Sequence, residues 1–199
     1  MSFENAQEVP IRKLSDPRAM RAMAHPTRLE LMELLGREGQ LTATRAGELM
    51  GLSPANCSFH LRQLAKYGFV EEAGAGAGRN RPWRLVSLSH EWSESELDDE
   101  GSAAASALSM VVLEREMERL AVWFERQRDE PVEWRDASTS STAIVYLTVD
   151  ELRDLADVLR DLVGKHVGRM ADPSLRPPGA RPVAFISAAY PLVSTPSGG

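Results

Sequence analysis

The chain has a single cysteine among its 199 residues, Cys57, which excludes an internal disulfide framework and suits a reducing compartment such as the cytoplasm. No apolar run approaches the ~20 residues that a membrane-spanning helix needs. The opening Met1-Ser2-Phe3-Glu4-Asn5 has neither the basic start nor the apolar middle of a secretory leader. A phosphate loop is missing too: the glycines from Gly74 to Gly78 are not followed by Lys-Ser/Thr. There is no nucleophile elbow, and the carboxylates fall in helix-surface runs and an acidic linker. The chain is therefore expected not to be an enzyme and to carry no cofactor. Cys57 and His60 stand three apart on one helix, a spacing that can suit a metal. Cys57, however, belongs to the apolar face, and His25, His90 and His166 are scattered. No metal is expected.

What is present centres on Gly39 to Ser87. Ser53 is a good N-cap, and Pro54 sits at the first helical position, where proline is tolerated best. Cys57, Leu61 and Leu64 then mark one face of a 3.6-residue period, and Gly68 stops the helix. At about 100° per residue, Ala55, Phe59, Arg62 and Lys66 lie opposite that face, flanked by Asn56, Ser58 and Gln63. These side chains carry the donors and acceptors that base edges and phosphates require. Upstream, Thr42 caps a short helix expected to bury Ala46, Leu49 and Met50, and Gly51-Leu52 turns into Ser53. The layout is helix, glycine turn, capped helix.

Downstream, Phe69-Val70 begins a strand, glycines form a tip, and Arg79, Arg81 and Arg84 mark a return strand with Trp83, Leu85 and Val86. An arginine-bearing hairpin suits a phosphate backbone or a minor groove. The net charge of −6 is unevenly spread. From Leu41 to Ser87, Arg45, Arg62, Lys66, Arg79, Arg81 and Arg84 oppose Glu48, Glu71 and Glu72, a local +3 that leaves −9 on the rest. Local sign governs contact with phosphate.

Four motifs carry a resemblance. Ala24-His25-Pro26-Thr27-Arg28-Leu29 ahead of a leucine-rich helix, Glu48-Leu49-Met50-Gly51-Leu52-Ser53, His60-Leu61-Arg62-Gln63-Leu64 and Tyr67-Gly68-Phe69-Val70 together resemble ArsR-type winged helix-turn-helix repressors, over roughly Ser15 to Ser87. The resemblance implies a homodimer that binds a palindromic operator in double-stranded DNA and responds to an effector. The paired cysteines of the metal-sensing members are missing here. The chain also continues well past the dimer helix near which compact members end.

The fold class expected is α+β, mostly α. A winged head spans 15–88, with residues 1–14 loose, and an acidic linker spans 89–102. A long dimerisation helix occupies 103–129 and a strand-helix-strand unit 140–192. On the long helix Ser106, Met110, Leu113, Met117, Leu120 and Phe124 alternate three and four apart, a near-heptad seam that points to a dimer interface. A second stripe, Leu108, Val112 and Trp123, calls for another apolar partner. Thr148 to Glu151 reads as a capping box for a helix that buries Leu152, Leu155, Ala156, Leu159, Leu162 and Val163. Ala143-Ile144-Val145-Tyr146-Leu147 and Val183 to Ala188 read as flanking strands, and the chain after Pro191 as disordered. Trp92, Met117, Trp123, Trp134 and Tyr146 offer apolar surface for a small organic effector. The expected function is a dimeric DNA-binding transcriptional regulator. The alternative is a winged module that binds protein instead, which an exposed Phe59 would suit.

Overall fold

The computed structural model describes residues 11–74, 81–92 and 97–192. In order these form β1 (Ile11–Lys13), α1 (Pro17–Met23), α2 (Pro26–Glu38), α3 (Ala43–Met50), α4 (Pro54–Lys66), β2 (Val70–Glu72), β3 (Trp83–Leu85), β4 (Ser89–Glu91), α5 (Asp99–Arg126), α6 (Val132–Ala137) and α7 (Val149–Ala171). The molecule is mostly helical, with a winged head and a long helix, as expected from the sequence.

Side-chain caps fix where the helices begin. The Asp16 side chain accepts from the Arg18 amide, the His25 ring from Thr27, Thr42 from Arg45 and Ser53 from Asn56. Each satisfies an amide that the first turn leaves without an intrahelical partner. Thr148 and Glu151 form the full reciprocal capping box. Gly51 ends α3 at φ +67° and Gly68 follows α4 at φ +71°, both in the left-handed region that glycine enters without strain. Gly47 is required for another reason. A Cβ there would lie 2.6 Å from the Leu52 carbonyl oxygen, so only glycine lets α3 approach the turn this closely.

The head has one core. Met20 and Met23 of α1, Leu31, Leu34 and Leu35 of α2, Ala43 and Ala46 of α3, and Cys57, Leu61 and Leu64 of α4 pack with Phe69, Val70 and Trp83. From α5, Ala104, Ala105 and Leu108 join them. Strands β2 and β3 pair antiparallel with Glu71 opposite Arg84, and the Leu41–Trp83 bridge ties this wing to the α2–α3 connection. Leu49, expected in the core, is exposed: in so short a helix the buried stripe falls on Ala43, Ala46 and Gly47 instead.

The start of the described chain is ordered rather than loose. Strand β1 pairs in parallel with β4, and Leu14 is buried. Arg12 Nη1 and Nη2 donate to the carbonyls of Gly68 (2.6 Å) and Tyr67 (2.7 Å), and its guanidinium lies over the Phe69 ring at 4.7 Å. The end of α4 is thus held by a residue from the other end of the head. The expected acidic linker contains β4 and the beginning of α5, which starts at Asp99 because Asp98 caps it on the Gly101 amide. Glu94 and Glu96 lie outside the described residues.

Helix α5 has two unlike faces. One side packs Gly101, Ala104, Ala105 and Leu108 on the head, chiefly against α1. Further along, Arg115 (2.6 Å) and Arg119 both reach Glu33 of α2. The opposite side carries Met110, Leu113, Met117 and Phe124, all exposed. The C-terminal half departs most from expectation. Helix α7 is present, but 143–147 and 183–188 have no regular structure and lie outside any sheet. Leu155, Ala156, Leu162 and Val163 are exposed, with Leu152 and Leu159 half-buried. Helix α7 meets α2 near its end, with Met170 beside Gly36, but much of its apolar surface is uncovered among the described residues. Pro191 and Leu192 have no regular structure, and the segment expected to be disordered otherwise lies outside the described residues.

Candidate nucleic-acid interface

Helix α4 presents the face expected from its periodicity. Cys57, Leu61 and Leu64 are buried to the core, as is most of His60. Ala55, Asn56, Phe59, Arg62 and Lys66 are exposed, and Ser58 and Gln63 are partly so. Arg62 Nε donates to the Ser58 carbonyl at 3.1 Å, and Lys66 Nζ lies 5.4 Å from the Tyr67 ring centroid. Neither cation on this helix is held by a carboxylate in the ion pairs of the described residues. At the preceding helix Thr42 is half-buried and committed to its cap, and Arg45 is exposed but paired with Glu48 at 2.9 Å.

The wing arginines are paired too. Arg81 Nη1 meets Glu72 Oε2 at 2.6 Å, and Arg84 Nη2 meets Glu71 Oε1 at 2.6 Å. Arg79 and the glycine tip at Gly76 and Gly78 lie outside the described residues. Each acid between Leu41 and Ser87 therefore neutralises one arginine in the free chain. All three pairs are solvent-exposed, where an ion pair contributes about 0–1 kcal/mol. A phosphate can displace such a carboxylate at little cost.

Behind α4, His60 is seated against the N-terminus of α2, its ring 4.6 Å from that of His25 and 5.2 Å from that of Phe59. Burial pushes the imidazoles of His60 and His25 below their ordinary values, with the nearby Arg28 charge acting in the same direction. The His60 ring is also disfavoured as a cation by His25. Burial raises the Cys57 thiol, leaving it a small apolar core residue and not a reactive one. Among the described residues no three His, Cys, Asp or Glu side chains gather as a metal set, and no helix is long and apolar enough to cross a membrane.

Of the residues expected to line an effector pocket, Trp92 and Trp123 stand well apart. Trp92 Nε1 donates to Ser109 Oγ at 2.9 Å, near the head end of α5. Trp123 lies fourteen residues further along that helix, about 21 Å away at 1.5 Å per residue. Trp134 holds the Arg181 guanidinium 4.8 Å from its ring centroid, while Met117 and Tyr146 are exposed. The residues expected to form a dimer seam are uncovered in the single chain: Met110, Leu113, Met117 and Phe124 are exposed and Leu120 is half-buried.

Sequence reasoning missed Arg12, which fastens the C-terminal end of α4, and the Glu33–Arg115–Arg119 cluster that fixes α5 on α2. Local periodicity carries no signal for either, since their partners lie more than fifty residues away.

A capped pair of helices joined by a glycine turn, followed by a two-stranded wing, defines a winged helix-turn-helix head. The family model described as "Helix-turn-helix domain" matches residues 23–73. That match covers α2 to β2, about a quarter of the chain, and says nothing of the C-terminal half. No curated protein matches the chain. Among solved structures, the winged helix-turn-helix DNA-binding domain (fragment 1-100) of a possible ArsR-family transcriptional regulator from Mycobacterium bovis, titled as homodimeric, is similar at 20% identity. It covers 50% of this chain and 76% of that one, with a TM-score of 0.32. A crystal structure of the same M. bovis fragment gives 20% identity, 50% and 88% coverage and a TM-score of 0.32. A MarR family regulator from Neisseria meningitidis gives 19% identity, 71% and 80% coverage and a TM-score of 0.32. Likeness at these scores is weak.

Proposed function

We propose that this protein is a sequence-specific, DNA-binding transcriptional regulator, acting as a homodimeric repressor on a palindromic operator. The observation that carries the reading is the exposed face of α4. Asn56, Arg62, Gln63 and Lys66 stand on a helix whose other side is locked into the core and whose end is clamped by Arg12. Such a helix fits the major groove, with Arg and Gln or Asn able to make bidentate contacts to guanine and adenine edges. Phe59 and Ala55 suit a thymine methyl. Arg45 from α3 and Arg81 and Arg84 from the wing then exchange their carboxylates for backbone phosphates, which position the helix without reading sequence. The open seam of α5 joins two copies, so that two α4 helices meet successive major grooves about one helical turn apart.

Phe59 supports a second reading. At 54% exposure it is a large apolar side chain at the centre of the candidate face, and it would equally suit a protein partner. Selection of duplexes from a random pool, followed by titration at several salt concentrations, separates the two. The DNA reading expects an enriched two-fold symmetric site and an affinity that falls steeply with salt. No enrichment, with salt-independent residual binding, favours the protein module.

A further inference from the structure

The C-terminal half contains two segments with the composition of strands and no sheet to join. Residues 143–147 and 183–188 have no regular structure, and among the described residues neither exchanges a main-chain hydrogen bond with another element. Their apolar side chains face solvent: Ile144 is 79% exposed, Tyr146 is fully exposed and Val183 is 73% exposed. Unpaired edges of this kind, rich in β-branched and aromatic residues, are templates for pairing with another strand.

We propose that 143–147 and 183–188 become strands on dimerisation and build one sheet shared between two copies of this chain, with α7 as its cover. The proposal rests on the homodimer reading above and adds the segments that complete it. Two considerations favour a second copy over pairing within one chain. A two-stranded sheet alone is marginal in water, whereas two strands from each copy give four, enough for a stable sheet with a covered face. The segments also lie in the chain beyond the end of α5. The first begins six residues after α6 ends, and just ahead of the second Arg181 bonds Glu130 at 2.8 Å and lies over the Trp134 ring. In the dimer the seam from Met110 to Phe124 and the two segments then face the partner together. The exposed Leu155 and Leu162 of α7 find their packing on the shared sheet.

The test is hydrogen exchange on the full-length protein across a dilution series, with mass by sedimentation at each concentration. In the dimer, amides of 143–147 and 183–188 are expected to be protected on the order of 100-fold, and to lose that protection as the mass falls to the monomer's. The double variant Tyr146→Asp/Ile186→Asp should lose protection in both segments while the head keeps its own. Equal protection in monomer and dimer overturns the proposal in favour of an intrachain sheet. A dimer without protection in the segments overturns it while leaving the α5 dimer standing. A monomer at every concentration removes the homodimer reading and this one together.

Discussion

Glu71 and Arg84 stand opposite each other across the two strands of the wing, their carboxylate and guanidinium 2.6 Å apart. Glu72 and Arg81 make a second such pair next to them. The arginines that resemble a phosphate clamp in the sequence are, in the free protein, already occupied. Binding DNA therefore requires an exchange of anions, and the acids set how readily it happens. Glu71→Gln should cost less than about 1 kcal/mol of stability, since the pair is exposed. It should tighten DNA binding several-fold, because Arg84 no longer has to leave a carboxylate to take a phosphate, while the slope of log K against log salt changes little. Fluorescence anisotropy at four salt concentrations measures both. An unchanged affinity would mean the wing does not touch the backbone.

Arg12 bonds the last carbonyls around α4 from a strand more than fifty residues earlier in the chain. Hydrogen bonds made by a charged group contribute about 1.5–3 kcal/mol. Arg12→Ala should lower the unfolding free energy by about 2 kcal/mol and speed amide exchange in the last turn of α4. DNA affinity should drop with it, because the reading helix loses its clamp. Urea unfolding read beside hydrogen exchange tests this, and a loss of stability without faster exchange at Ala65 and Lys66 would contradict it.

Acid should destabilise the head through His90. Burial, and then the neighbouring Arg12 charge, push its imidazole from 6.5 down to about 4. The unfolded chain accepts a proton near pH 6.5, while the folded one refuses it until about pH 4. This contribution to stability is complete above pH 6.5 and is lost as the pH falls from 6.5 towards 4. His25 and His60 are shifted in the same direction and act with it. His90→Asn should flatten the dependence of unfolding free energy on pH across that window, with little change of slope above pH 7. Parallel wild-type and variant curves at acid pH would exclude the role.

The open face of α5 gives a separate expectation. Leu113→Asp with Leu120→Asp places charges on the seam at positions that touch no core residue of the head. The variant should stay folded, sediment as a monomer and bind DNA far more weakly, because each copy then holds only a half-site. A dimer that survives both charges would place the interface elsewhere.

How far the sequence could be read depended on the range of the interaction. Helix starts at Thr42, Ser53 and Thr148 were legible because a cap involves residues three apart. The outward face of α4 followed from the buried spacing of Cys57, Leu61 and Leu64. Arg12 on Gly68 and Arg115 on Glu33 were not legible, since nothing local in either residue names so distant a partner. Ala143 to Leu147 show a different gap. Their composition states a preference for strand, but a strand also needs a neighbour to pair with, and they stand in no sheet. Trp92 and Trp123 were grouped by chemistry alone, and the rigid length of α5 keeps them apart.

The central claim is that α4 reads base edges. The most direct measurement compares the affinity of wild type and Arg62→Ala for a duplex selected from a random pool and for a scrambled duplex, at a fixed salt concentration. The selected site should bind the wild type at least about 10³-fold more tightly than the scrambled one. Arg62→Ala should lose about 1–3 kcal/mol on the selected site and much less on the scrambled one. Equal binding of the two duplexes by the wild type, or no change on removing Arg62, would contradict the account.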